Sequence, residues 1–247
     1  MPIAPSGFPP YIIIMENKKT IPDGRHAQLK KKVAVRFGLA GPVLAAMFFL
    51  PAGTWNYWQA WIYLAILLVP MFMVVAYFLK KDPELMERRM RMKEKEREQK
   101  AIIILSYPFF LAAFLLPGFD RRFGWSAVPV WVVIAADVIV LISYGLFFRV
   151  MRENRFLSRV VEVDRKQTVI STGPYALVRH PMYAAVIPMY FFSPLALGSL
   201  WALIPAAFVP LILIARIFNE EKVLGENLEG YTEYTRQVKY RLVPGIW

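Results

Sequence analysis

The sequence predicts an all-α fold: a polytopic membrane helical bundle of about six crossings that ends in a C-terminal helical hairpin. Three observations predict it. Of the 247 residues 57% are hydrophobic, and mean hydropathy is +0.41; soluble domains run nearer ~45–50% apolar. Several apolar runs reach the ~20 residues that span a ~30 Å hydrocarbon core as a helix. The 30 Lys and Arg residues fall almost entirely into alternate connecting segments, as the positive-inside rule requires of a multi-pass chain.

Taken in order, residues 1–32 form an N-terminal segment. Its start, Met1 to Asn17, is Pro-rich and has no basic n-region, so it does not read as a cleaved signal peptide. Tyr11-Ile12-Ile13-Ile14 suits the membrane interface. A four-helix region over 33–148 follows. Its spans run from about Val33 to Ala52, Trp55 to Leu79, Ala101 to Pro117 and Ala127 to Phe148. Between the second and third, Asp82-Pro83-Glu84 reads as an N-cap, a proline at the first helical position and an early acid. Leu85 to Lys100 then carries charges at helical spacing (Glu84…Arg88, Glu87…Arg91, Lys93…Arg97), the pattern of a solvated or membrane-surface helix. No chemistry is assigned to it.

Residues 149–247 form the third part. Its apolar stretch from Tyr183 to Phe218 is too long for one crossing. Ser193-Pro194 and Leu197-Gly198-Ser199 interrupt it, so it reads as a hairpin pivoting near Gly198. The charge asymmetry then places both termini in the cytoplasm, because the opposite side holds only Arg121 and Arg122. The net charge of +12 is mostly this topology plus attraction to anionic lipid. Nucleic-acid binding does not follow, since no base-stacking module accompanies the charge.

Several chemistries are excluded. There is no cysteine, which removes disulfides, thiolate metal sites and cysteine nucleophiles. Two distant histidines make a metal centre unsupported. No two glycines lie two apart, so no G-x-G-x-x-G loop exists, and G-x-S-x-G is missing too.

The chemistry-bearing residues cluster at the mouth of the hairpin. Thr172-Gly173-Pro174-Tyr175-Ala176-Leu177-Val178-Arg179-His180-Pro181-Met182-Tyr183 sets an Arg-His pair and two tyrosines beside a rigid Gly-Pro turn. Polar, titratable groups at a bilayer boundary are costly and call for a reason; a plain interfacial anchor is the alternative. Pro181 suits a first helical position, and the helix N-terminus behind His180 offers positive potential. A hairpin returns to the side it left. His180, Arg179, Tyr175 and Tyr183 therefore approach Arg216, Glu220, Glu221, Tyr231, Tyr234 and Arg241. Arg216 and Glu220 are four apart and share a helix face, as a simple ion pair or as a holder for a zwitterionic ligand. Asp137 sits mid-span in the fourth crossing. Interior carboxylates are often functional, but packing against Ser143 is an equal reading, and Asp137 stays outside the catalytic set.

Gly-Pro-Tyr…Val-Arg-His-Pro-Met-Tyr, followed by Arg216…Glu220-Glu221…Leu224 and Tyr231…Tyr234…Arg241…Pro244, resembles the isoprenylcysteine carboxyl methyltransferase and phospholipid methyltransferase superfamily. The resemblance covers about the last 100 residues. It implies S-adenosylmethionine as methyl donor, bound in a cytoplasm-facing pocket, with a lipophilic acceptor or membrane lipid arriving through an opening toward the bilayer. It further implies that Gly173, Pro174, Tyr175, Val178, Arg179, His180 and Tyr183 form the cofactor pocket. Glu220 or Glu221 would meet the cofactor ammonium. Arg216, Glu220 and Arg241 would hold carboxylate or orient the acceptor as the catalytic set. A carboxylate acceptor needs no base; for an amine, His180 or a glutamate would take the proton. Two rivals stand beside this reading. The ending Tyr240-Arg241-Leu242-Val243-Pro244-Gly245-Ile246-Trp247 also resembles NADPH-dependent sterol Δ14-reductases. A membrane scaffold or small-molecule carrier would need the cluster only for structure.

Overall fold

The computed structural model describes residues 23–91, 94, 97–161, 163 and 167–247. The expected interfacial segment at Tyr11–Ile14, and Lys93 of the Lys93…Arg97 pair, lie outside them. Nine α-helices, and no strand, occur among the described residues: α1 Asp23–Gly38, α2 Ala40–Ala52, α3 Trp58–Lys81, α4 Pro83–Arg89, α5 Arg97–Phe123, α6 Val130–Glu153, α7 Pro181–Ala196, α8 Leu203–Asn227 and α9 Tyr231–Gln237. One 3-10 turn, Gly173–Ala176, precedes α7.

Five helical stretches are long and apolar enough to cross a membrane: Ala27–Ala52, α3, α5, α6 and α8. In the first, α1 and α2 run on through Leu39, because Leu39 N–H donates to Val35 O and Val43 N–H to Leu39 O. α7 supplies the remaining arm of the hairpin. Its 16 residues make ~24 Å of helix at ~1.5 Å each, somewhat short of the hydrocarbon core. The chain is thus an integral, multi-pass membrane protein, all α, with about six crossings.

Asp82 caps α4 as its spacing predicts, Oδ1 accepting from Leu85 N–H at 3.0 Å. The expected continuous helix from Leu85 to Lys100 does not form. α4 ends at Arg89 and α5 begins at Arg97. Arg88 Nη1 donates to Arg155 O at 2.7 Å and Arg89 Nη1 to Ser158 O at 3.4 Å, folding α4 against the segment that follows α6. Charges spaced for a solvated helix therefore serve a tertiary contact.

α6 packs along α7, α5 along α2 and α8, and α7 along α8. Gly118 lets α2 and α5 touch: a Cβ there would lie 2.6 Å from Phe48 O and 2.9 Å from Pro51 Cβ. The turn of the hairpin uses Gly198 at φ 74°. Tyr57 Oη donates to Leu197 O at 2.5 Å, and Ser199 Oγ donates to Asp120 Oδ2 at 2.5 Å. Asp120 also accepts from Ser126 Oγ at 2.6 Å and from Ser126 N–H at 2.7 Å. This buried carboxylate ties the end of α5 to the hairpin tip. Asp120→Ala removes three charge-assisted acceptor contacts and leaves Ser199 without its carboxylate, so thermal unfolding in detergent should report a loss of about 3 kcal/mol. An unchanged transition would show that the stitch carries no stability.

Asp137 is buried in α6, and neither carboxylate oxygen has a hydrogen-bond partner among the described residues. The alternative contact with Ser143 does not form. Six residues turn a helix through roughly 240°, so the two side chains point apart.

Candidate active site

The site is assembled where the hairpin opens, at the end of the bundle that carries most of the basic residues. The 3-10 turn sets its approach. Gly173 takes φ 57°, a left-handed conformation that glycine adopts freely, and a Cβ there would lie 2.7 Å from Glu153 Cδ. Thr172 Oγ1 donates to Glu153 Oε1. Pro174, Tyr175 and Val178 are buried behind the turn. Tyr175 Oη accepts from Asn154 Nδ2 at 2.9 Å, and Tyr175 O accepts from Tyr234 Oη at 2.8 Å. Burial pushes the Tyr175 phenol up, opposed by the Asn154 hydrogen bond and aided by the Glu220 charge, so it stays protonated.

His180 caps α7 and Pro181 occupies its first turn. The C-terminal tail runs alongside: Arg179 N–H donates to Tyr240 O at 2.9 Å and His180 N–H to Arg241 O at 3.0 Å. These bonds hold the tail against the entrance of α7.

The adjacent glutamates of α8 then diverge. Glu221 is ringed by two arginines and a histidine. Its Oε1 accepts from Arg179 Nε at 2.8 Å and lies 3.1 Å from His180 Nε2, while Oε2 accepts from Arg241 Nε at 2.9 Å. The Arg241 guanidinium also lies 5.2 Å from the ring centres of both Phe218 and Trp247. Glu221 is thus a clamp joining α7, α8 and the tail. Glu220 Oε2 accepts from Tyr183 Oη at 2.6 Å. The same hydroxyl accepts from Arg216 Nε at 2.9 Å. Arg216 and Glu220 share a face, with Tyr183 inserted between them. Gln99, fully buried in α5, fixes the rotation of α8 by donating to Asn219 Oδ1 at 2.9 Å and to Arg216 O at 3.2 Å.

Arg216, Glu220 and Tyr183 open onto a cavity of about 650 Å³, a volume typical of small-molecule sites. Of the residues singled out in the sequence, Tyr175, Arg179, His180, Tyr183, Arg216, Glu220, Tyr231 and Tyr234 line it. Gly173, Pro174, Val178, Glu221 and Arg241 do not; they shape or brace the residues that do. Burial pushes the Tyr231 and Tyr234 phenols up as well, leaving both as neutral donors.

Two lining arginines carry no signal in the sequence. Arg89 of α4 and Arg159 both face the cavity. Burial, with the Arg159 charge second, lowers the Arg89 pKa to about 10, still cationic at neutral pH. The polar end of the cavity thus gathers more positive than negative charge. The opposite, apolar end is lined by side chains of α5, α6, α7 and α8, among them Phe110, Tyr144, Val186 and Leu213. Such a chamber suits a polar, partly zwitterionic ligand meeting an apolar one.

Residues 131–226 match the isoprenylcysteine carboxyl methyltransferase (ICMT) family. The match runs from α6 through nearly all of α8, and this range holds every arginine, histidine and glutamate that lines the cavity among the described residues except Arg89. It is the superfamily that the Arg-His-Pro and Glu-Glu motifs resemble. The ICMT match covers less than half of the chain, and it makes this region that of a membrane methyltransferase family. No curated protein matches the chain.

Proposed function

We propose that the protein is an S-adenosylmethionine-dependent methyltransferase that methylates a lipophilic acceptor at the cytoplasmic face of its membrane. The observation that carries this reading is the Arg216–Tyr183–Glu220 triad at the polar end of a chamber whose other end is apolar, inside the ICMT-matched region. The catalytic region is residues 149–247, and the basic end faces the cytoplasm, as the charge asymmetry favours.

The residues fit the cofactor. Glu220 has one oxygen beyond the one that Tyr183 occupies, suited to an ammonium. Arg216 Nη1, Arg159 and Arg89 suit a carboxylate. Bound there, the sulfonium supplies an activated methyl group for in-line displacement. The side chains then have three tasks. Glu220 and Arg216 orient the polar ligand, with Tyr183 fixing their spacing. The apolar walls exclude water from the reacting pair. For an amine acceptor, His180 lies at the cavity wall with Glu221 behind it, placed to receive a proton; a carboxylate acceptor needs no such step.

Thermal unfolding of the purified protein tests this. Saturation with S-adenosylhomocysteine at ~100 times its dissociation constant should add about 2.7 kcal/mol, and NADPH should add nothing. Stabilisation by NADPH alone would replace the reading with a reductase, and indifference to both would leave a scaffold. Incubation with methyl-labelled cofactor and membrane lipid extract should then yield a labelled lipophilic product.

A further inference from the structure

We propose that Tyr190, backed by Phe110, is the floor of the acceptor's tail pocket and sets the length of apolar tail the protein accepts. This rests on the methyltransferase reading and adds to it a specificity-determining residue.

The apolar arm of the cavity has a definite end. Tyr183 holds the polar group on α7, and Tyr190 lies seven residues on, ~10 Å deeper along the helix axis. Its ring meets Phe110 of α5 edge-on, with centres 4.8 Å apart. Below that pair the bundle closes. Phe114 lies 6.3 Å from Tyr190 and stacks 6.1 Å from Phe48, in the packed core that includes Tyr63 and Ala136. Phe110 and Tyr190 line the cavity; Phe114 and Phe48 do not. An aromatic pair seated on a packed core cannot retreat without overpacking what lies behind it.

The arm also has a mouth at membrane depth. α5 leans on α2 and α8, while α6 leans on α7 and α3. The slot between α5 and α6 is lined by Ile103 and Tyr107 on one side and Tyr144 and Phe147 on the other. Tyr107 is 59% exposed on the bundle's outer face yet reaches the cavity. A single apolar tail can slide in from lipid past Tyr107, while its polar head stops at the level of Tyr183, short of the arginines that suit the cofactor carboxylate. Its far end then meets Tyr190.

A graded series of saturated alkyl carboxylates, each with a terminal diazirine, measures that reach directly. With no cofactor added, the anionic head suits the arginine-lined end. After photolysis, mass spectrometry locates the labelled residue. Tails of increasing length should label progressively deeper positions, up to Phe110 or Tyr190. Cavity labelling should then fall about tenfold or more for tails that overfill the floor. Tyr190→Ala should extend the accepted length and move the label to Phe114 or Phe48. Tyr190→Phe, which keeps the ring, should leave the cutoff in place. Phe110→Ala gives an independent extension should Tyr190→Ala not fold. A series without a cutoff overturns the proposal, as does a cutoff unmoved by both alanine variants or moved by Tyr190→Phe. S-adenosylhomocysteine stabilisation, measured on the same samples, separates the two ideas. A normal response without a cutoff sinks the floor alone. A cutoff without the response sinks the methyltransferase reading and keeps the floor.

Discussion

Glu221→Ala should destabilise the protein by about 3 kcal/mol or more and release its C-terminal tail. Arg179, His180 and Arg241 all lie within 3.1 Å of the carboxylate, and Glu221 and Arg179 are 14% and 8% exposed. Removing the carboxylate leaves the Arg179 and Arg241 guanidinium groups without their counter-charge in a poorly solvated place, which costs more than the lost attraction alone. Arg241 would lose the ion pair that helps hold the tail, although Phe218 and Trp247 still flank it.

Three measurements check this. Thermal unfolding should shift down. Amide exchange should quicken at Arg179 and His180, whose N–H groups donate to that tail. The double variant Glu221→Ala with Arg241→Ala should be less destabilised than the two single effects added, because each removes the same contact. Additive effects, or an unmoved transition, would mean that the clamp is only a surface pairing of the weak kind.

How much of this was legible in the sequence depends on what each signal encodes. Hydropathy encodes the spans, and the break at Leu197-Gly198-Ser199 encodes the hairpin, because both are local properties of the chain. The hairpin in turn fixes which segments meet, so the gathering of Arg179, His180 and Tyr183 with Arg216, Glu220 and Glu221 follows from the order of residues alone. The division of labour between Glu220 and Glu221 does not. Neighbours on a helix point roughly 100° apart. Which one faces the cavity is set by the rotation of α8, and that rotation is fixed by Gln99 and Asn219, two amides with no motif around them. Arg89 was hidden for a related reason. Its charge pattern is that of a solvated helix, and only the fold of α4 against Arg155 and Ser158 turns it toward the cavity. Asp120 and its serine partners come from separate segments, so no spacing rule joins them. Asp137 is the reverse case: conspicuous in the sequence, and in the structure away from the cavity.

That division makes Glu220→Gln the sharper functional test. The substitution keeps shape and an acceptor oxygen for Tyr183 but removes the charge. A ligand ammonium would lose a charge-assisted bond worth about 1.5–3 kcal/mol, so affinity for S-adenosylhomocysteine should fall roughly ten- to a hundredfold. Unfolding without ligand should stay within about 1 kcal/mol of the parent, since the glutamine can still accept from Tyr183. Tyr183→Phe should weaken binding by a different route. Without the hydroxyl, Arg216 and Glu220, four apart on one face, are free to pair with each other, and the carboxylate is then occupied before any ligand arrives. Removing Arg216 as well would release Glu220 and should restore part of the ammonium affinity, at the expense of carboxylate contacts. The neighbouring variants thus make a matched pair: at 221 the fold should weaken, and at 220 the ligand response should weaken while the fold persists. If Glu220→Gln binds S-adenosylhomocysteine as the parent does, the ammonium is not held by this residue. The assignment of the cavity's polar end would then have to be rebuilt around the arginines alone.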